Sequence, residues 1–245
     1  MTVQRELRPA LALIVAASAT AWLFVFWTAS NMDAPLARLM MPMGTSWSGA
    51  EAVSVWIMWA VMMGAMMLPS AAPMILTHRR IVAHRGSPAE SFYFGLAYLV
   101  VWAAFSIAAT LSQWGLQSLG VLNHMLMLKT NLVSGIFLVI AGATQWSPQK
   151  SRCLALCRTP VGFLTTEWKA GNVGAFRMGL QHGIDCVGCC WALMALLFVF
   201  GAMNLFAILL LSTLVAAEKL LPHGETLGRV AGLLFGVWGL WLILN

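Results

Sequence analysis

The chain has 245 residues, 60% of them hydrophobic and 9% charged, with a mean hydropathy of +0.83. That composition excludes a soluble globular domain and describes a polytopic membrane protein of all-α class, a transmembrane helical bundle forming a single integral domain over residues 1–245. The formal net charge of +6 requires no nucleic-acid partner, because basic residues beside an anionic inner leaflet act as topology signals.

Apolar windows long enough to cross a bilayer cover residues 11–27, 53–76, 92–111, 132–146, 179–200, 204–221 and 227–244, giving about seven spans. The first follows a basic start, contains Trp22 and Trp27 and lacks a small-residue cleavage site, so it is read as an uncleaved helix. The loop after it carries Met40, Met41 and Met43, and the loop before the fourth window carries His124, Met125 and Met127. These side chains are either weak copper ligands on the outer face or ordinary apolar contacts at the interface.

The second window places five methionines in ten positions, Met58, Met62, Met63, Met66 and Met67, just before Pro69. Met58, Met62 and Met66 form one stripe at i, i+4 spacing, and Met63 and Met67 form another. Such a ladder is either ordinary packing or a run of soft thioether ligands suited to Cu(I). Gly64 and Pro69 would let the helix bend and a neighbour approach closely. The fourth window is short, and its helix is expected to begin near Leu126.

A polar segment over residues 147–177 follows, read as a cytoplasmic loop between spans four and five with an interfacial helix around residues 161–169. Its Cys153 and Cys157 fall at i, i+4 if helical; they are either metal-transfer thiols or plain reduced loop thiols. The fifth window opens with the densest chemistry of the chain: His182, Asp185, Cys186, Cys189 and Cys190. At about 100° per residue the first four share one narrow stripe, with Cys190 at its edge. Counted from Gly179, the thiols lie about 10–16 Å deep at 1.5 Å per residue.

Three uses compete for this cluster: a metal site, a redox pair at the Cys186-x-x-Cys189 spacing, and packing by small apolar thiols. Metal binding is favoured, because membrane segments rarely spend ionisable and thiol groups together without a use. Cytoplasm-side placement disfavours a stable disulfide. Thiolate beside thioether points to copper, as Cu(I), with zinc as second choice, and Asp185 is expected to orient His182 or a neighbouring helix.

No charge interrupts residues 186–217, so the turn expected at Gly201-Ala202-Met203-Asn204 competes with a single bent helix. Orientation decides between them. With seven spans and the N terminus inside, twelve Lys and Arg residues lie inside, while only Arg38 and Lys129 lie outside; merging the two spans leaves ten against four. Seven spans, N terminus in and C terminus out, is the expectation. Glu218 and Lys219 then end the sixth span, where their charges either pair and snorkel at the inner interface or place Glu218 beside the thiol mouth. No nucleotide-binding loop, catalytic triad spacing or acidic pair points to an enzyme.

The residues 62–69, MMGAMMLP, together with 182–191, HGIDCVGCCW, Gly201-Ala202-Met203-Asn204 and 218–222, EKLLP, resemble the bacterial predicted metal-binding integral membrane proteins, formerly a domain of unknown function. The resemblance implies a copper chaperone of the bacterial cytoplasmic (inner) membrane, of the kind that loads a tyrosinase, whose partner is a copper enzyme or copper carrier. One departure is visible: where the family pattern has Trp-Met after Met203-Asn204-Leu205, this chain has Ala207-Ile208.

Overall fold

The computed structural model describes residues 2–42, 44, 46–83, 87, 89–123 and 125–245, with side chains from Leu7 onward; Met43, Arg85 and His124 lie outside the described residues. Eleven helices follow in order among them: α1 Thr2–Ser30, α2 Pro35–Met40, α3 Gly49–Val82, α4 Ala89–Ser118, α5 Asn131–Gln145, α6 Pro148–Arg158, α7 Pro160–Glu167, α8 Gly171–Ala195, α9 Leu197–Phe200, α10 Leu205–Leu220 and α11 Gly224–Leu244. Local chemistry sets several of these boundaries. Ser48 and Glu51 cap α3 reciprocally, Glu51 N donating to Ser48 Oγ at 3.2 Å and Ser48 N to Glu51 Oε2 at 2.7 Å. Ser147 caps α6, and Pro148 and Pro160 open α6 and α7, where a missing N–H costs nothing.

Among the described residues five helical stretches are long and apolar enough to cross a membrane: Leu7–Ser30, Gly49–Val82, Ala89–Ser118, Gly171–Phe200 and Gly224–Leu244. The fourth and sixth windows form helices of only 15 and 16 residues, about 22–24 Å long against a hydrocarbon core of about 30 Å. The fourth helix does not begin near Leu126. Leu126 has a left-handed φ of 55°, Leu122 and Leu128 form an antiparallel bridge, and Leu128 N donates to Phe198 O at 2.8 Å, so this stretch is bound to the end of α9 and cannot join α5.

The bent-helix alternative fails at Gly201, whose φ of 93° breaks the helix. Asn204 then starts α10, its Oδ1 accepting from Phe206 N at 3.1 Å. α10 runs back along α8, since Lys219 near its end lies 2.9 Å from Cys186 in the middle of α8.

α3 and α8 hold more buried residues than any other helices, with α4 packed on both, α1 on α3, and α5 on α11. Glycines permit the closest approaches. A Cβ on Gly142 would sit 2.6 Å from Gly232 O on α11, and one on Gly179 would overlap the Phe94 carbonyl of α4. The segment expected as a loop with an interfacial helix folds as the helices α6 and α7, which pack onto α8 and α3; α7 overlaps most of residues 161–169.

Candidate metal centre

The fifth-window cysteines sit where α8 is enclosed by α3, α4, α6 and α10. Cys186, Cys189 and Cys190 are buried, and all five cysteines of the chain are free thiols. Helical spacing turns both later thiols back onto their own turn: Cys189 Sγ donates to Cys186 O at 3.1 Å and Cys190 Sγ to the same carbonyl at 2.9 Å.

Four other elements reach this turn. From α3, Met67 Sδ lies 4.0 Å from Cys190 Sγ. From α4, Tyr98 Oη lies 3.0 Å from Cys186 Sγ and 3.2 Å from Met67 O. From α10, Lys219 Nζ donates to Cys186 Sγ at 2.9 Å and to Ser70 Oγ at 3.2 Å. From α6, the Cys157 thiol interacts with those of Cys186 and Cys189, and these contacts, followed by burial, hold it well above the usual thiol range. Cys153, one turn earlier, is half-buried against α8, where a Cβ on Gly188 would lie 2.9 Å from its Sγ. Burial, then the nearby Asp185 and Cys189, push its thiol up.

His182 shares the stripe but meets different neighbours. Its ring lies in a column that runs Trp168, His78, Phe94, His182, Tyr98, with successive centroids 5.5, 4.9, 5.9 and 5.5 Å apart and interplanar angles of 25° to 28°. Phe163 of α7 closes its side at 5.6 Å. His182 Nδ1 is buried with no hydrogen-bond partner, as is Asp185 Oδ2. Asp185 does not orient His182 in this arrangement: its Oδ1 accepts from Gln181 Nε2 at 3.2 Å.

The methionine ladder divides. Met58, Met62, Met63, Met66 and Met67 are all buried, yet only Met67 reaches a thiol sulfur. Met58 and Met62 line a small void of about 10 Å³ with Met203, Ile208 and Phe24, nearer the Gly201 turn. Ile208 therefore stands in that sulfur-lined gap at the position where the family resemblance places methionine.

Glu218 and Lys219, adjacent in sequence, diverge. Glu218 Oε2 accepts from Lys150 Nζ of α6 at 2.7 Å in a buried ion pair, and Lys150 also reaches Gln145 Oε1. Both side chains are buried between helices. Lys150 stands at the rim of a cavity of about 100 Å³ lined also by Gln145, Ser147, Gly188 and Cys189, which leads from the α5–α6 turn to a thiol.

Among the described residues no group of three or more His, Cys, Asp or Glu side chains is placed to hold a metal ion. What is gathered is softer: thiols from α8 and α6, a thioether from α3, one ammonium and one phenol. The family model PpoB2, a copper chaperone, matches residues 56–242. The chain belongs to that family. Copper is thus its cargo, to be delivered to a partner, and the PpoB2 match covers every residue of the thiol cluster, from Met67 of α3 to Lys219 of α10. No curated protein and no solved structure matches the chain.

The orphaned nitrogen of His182 and thiols held by a backbone carbonyl and one thioether leave unused ligand capacity, so the residues present fit a soft cation. Tyr98, Lys219 and Met67 complete a centre that spacing along α8 could not disclose. The sequence signals for Lys219 are a basic residue ending an apolar window and its place in the EKLLP motif; neither says that it meets a thiol.

Proposed function

We propose that this PpoB2-family protein holds Cu(I) at Cys186, Cys189 and Cys190 of α8, with Cys157 of α6 as a further thiolate and the Met67 thioether beside them. The convergence of thiol and thioether sulfurs from α8, α6 and α3 supports it; such a donor set suits Cu(I) over the harder oxygen-seeking cations, with Zn²⁺ as the competitor. His182 and Asp185, each with a buried unpartnered atom, are reserve ligands at the cap side. Met58, Met62, Met63 and Met66 offer weaker sites towards the Gly201 turn, while Cys153 lies against Gly188 and Glu218 pairs with Lys150, both at the cavity beside Cys189.

In this reading the molecule is one integral domain of the bacterial cytoplasmic membrane, N terminus inside and C terminus outside, with seven embedded helices including the short α5 and α10. Residues 147–177 are cytoplasmic and form a cap over the thiols. Copper is passed to a copper enzyme or carrier, and the cavity beside Cys189 is the route by which it is exchanged.

The test is the Cu(I) stoichiometry of detergent-purified protein, wild type against the Cys186→Ser, Cys189→Ser, Cys190→Ser triple variant. The wild type is expected to retain about one Cu(I) that the variant loses; equal retention would sink the site.

A further inference from the structure

Met203 is buried at a chain reversal, where side chains ordinarily meet solvent. Gly201 turns the chain with its φ of 93° and Asn204, exposed, caps α10, yet Met203 between them is only 5% exposed. Its side chain lines the void of about 10 Å³ together with Met58 and Met62 of α3, Phe24 and Thr28 of α1 and Ile208 of α10. That is room for about one water-sized sphere. Water itself is poorly served there, since it needs several polar partners and the hydroxyl of Thr28 is turned back to donate to Phe24 O at 2.8 Å. Methionine has a flexible stem that closes irregular gaps. Here a gap of ionic size persists among methionines from two separate elements.

The void stands apart from the thiol cluster. Met67, 4.0 Å from Cys190, lies five residues from Met62 and nine from Met58 along α3, about 7–14 Å at a rise of 1.5 Å per residue. The run from Cys190 to Phe200, just before the turn, covers about 15 Å by the same measure.

We infer that Met58, Met62 and Met203 form a second, all-thioether site for a soft, singly charged cation at the Gly201 turn. The inference rests on the reading that this protein carries Cu(I), and not on which thiols hold the first ion. Met63 and Met66 do not line the void and take no part in it. Thioether sulfur is a soft donor without charge. The cost of burying an ion grows with the square of its charge, about fourfold greater for a divalent than for a monovalent ion of similar size, and neutral ligands return none of it by ion pairing. Cu(I) and Ag(I) therefore fit these donors, and Zn²⁺ does not. The same neutrality makes the site weaker than the thiol centre, so it fills from buffered Cu(I) and empties on purification.

The experiment is anaerobic equilibrium dialysis of detergent-purified full-length protein against chelator-buffered Cu(I), with Zn²⁺ in a parallel arm and native helicity checked by circular dichroism. The methionine triple variant is Met58→Leu, Met62→Leu, Met203→Leu, which nearly conserves volume. Its control is the double variant Met63→Leu, Met66→Leu, in the same ladder but away from the void. Wild type and the double variant are expected to bind about two Cu(I) and the methionine triple about one, with Zn²⁺ uptake the same in all. The Cys186→Ser, Cys189→Ser, Cys190→Ser variant keeps the weaker Cu(I) and loses it when Met203→Leu is added. Should the methionine triple not purify as a single species, Met203→Leu alone carries the comparison, with a fall of at least about tenfold in the weaker affinity. A methionine triple that binds as much Cu(I) as wild type, a double variant that loses as much as the triple, or a parallel loss of Zn²⁺ overturns the inference. The thiol centre fails separately, by equal Cu(I) in the cysteine variant and wild type.

Discussion

Cys190 Sγ lies 4.0 Å from Met67 Sδ, joining α8 to α3 sulfur to sulfur across 123 positions of sequence. If that pair is part of the copper site, Met67→Leu removes the thioether while nearly conserving volume. Cu(I) affinity is expected to fall about tenfold, or ~1.4 kcal/mol, with stability changed by less than about 1.5 kcal/mol. Unchanged affinity by chelator competition would separate Met67 from the site and leave it as packing.

The two thiols of α6 should differ in reactivity. Both are held above the usual thiol range, Cys153 chiefly by burial and Cys157 chiefly by its contacts with Cys186 and Cys189. A raised pKa keeps a thiol protonated, and the thiolate is the nucleophile, so iodoacetamide labelling of each should be slower than that of a free cysteine at pH 8 and should accelerate as pH rises further. Cys153, the more exposed, labels first. Mass spectrometry showing Cys157 labelled at pH 7.5 as fast as a model thiol would place it outside the cluster.

Lys150 and Glu218 pin α6 to α10 through a buried contact of 2.7 Å. Lys150→Met leaves Glu218 buried and unpaired, and a loss of about 3–5 kcal/mol is expected. The double variant Lys150→Met, Glu218→Gln should recover most of it. Thermal unfolding followed by Cys157 labelling reads both effects; a double variant no better than the single one would contradict the pairing.

Two glycine contacts separate fold from site. A Cβ at Gly179 would strike the Phe94 carbonyl and approach Ala97 Cβ to 2.9 Å, forcing apart the helices that carry Cys186 and Tyr98. A Cβ at Gly142 would approach Gly236 N to 2.9 Å and part α5 from α11. Each alanine substitution should cost about 1–3 kcal/mol. Copper per folded molecule should drop only in Gly179→Ala, as measured by metal analysis after size exclusion; an equal drop in both would tie copper binding to global stability.

Hydrophobicity and punctuation made much of the fold legible. Gly201 and Asn204 ended one helix and began the next, because a left-handed φ and an N-cap oxygen act locally. Leu126 misled: apolarity suggested helix, whereas the neighbouring Leu128 N–H is taken by Phe198 O, a partner remote in sequence. The thiols of α8 were visible as a stripe, since helical period fixes which positions share a face. Cys157 was ambiguous because nothing local says which way a loop helix docks.

The sequence by itself determined the helical membrane character of this protein, the break at Gly201 and the grouping of Cys186, Cys189 and Cys190, all consequences of hydropathy and of interactions within a few residues. Only the tertiary structure decided that Glu218 and Lys219 part company, one to Lys150 and the other to Cys186. Adjacent positions on a helix point about 100° apart, so which neighbour each charge meets depends on how α6 and α8 pack around α10. The same packing brought Met67 and Tyr98 to the thiols and left Met58 and Met62 at a separate void.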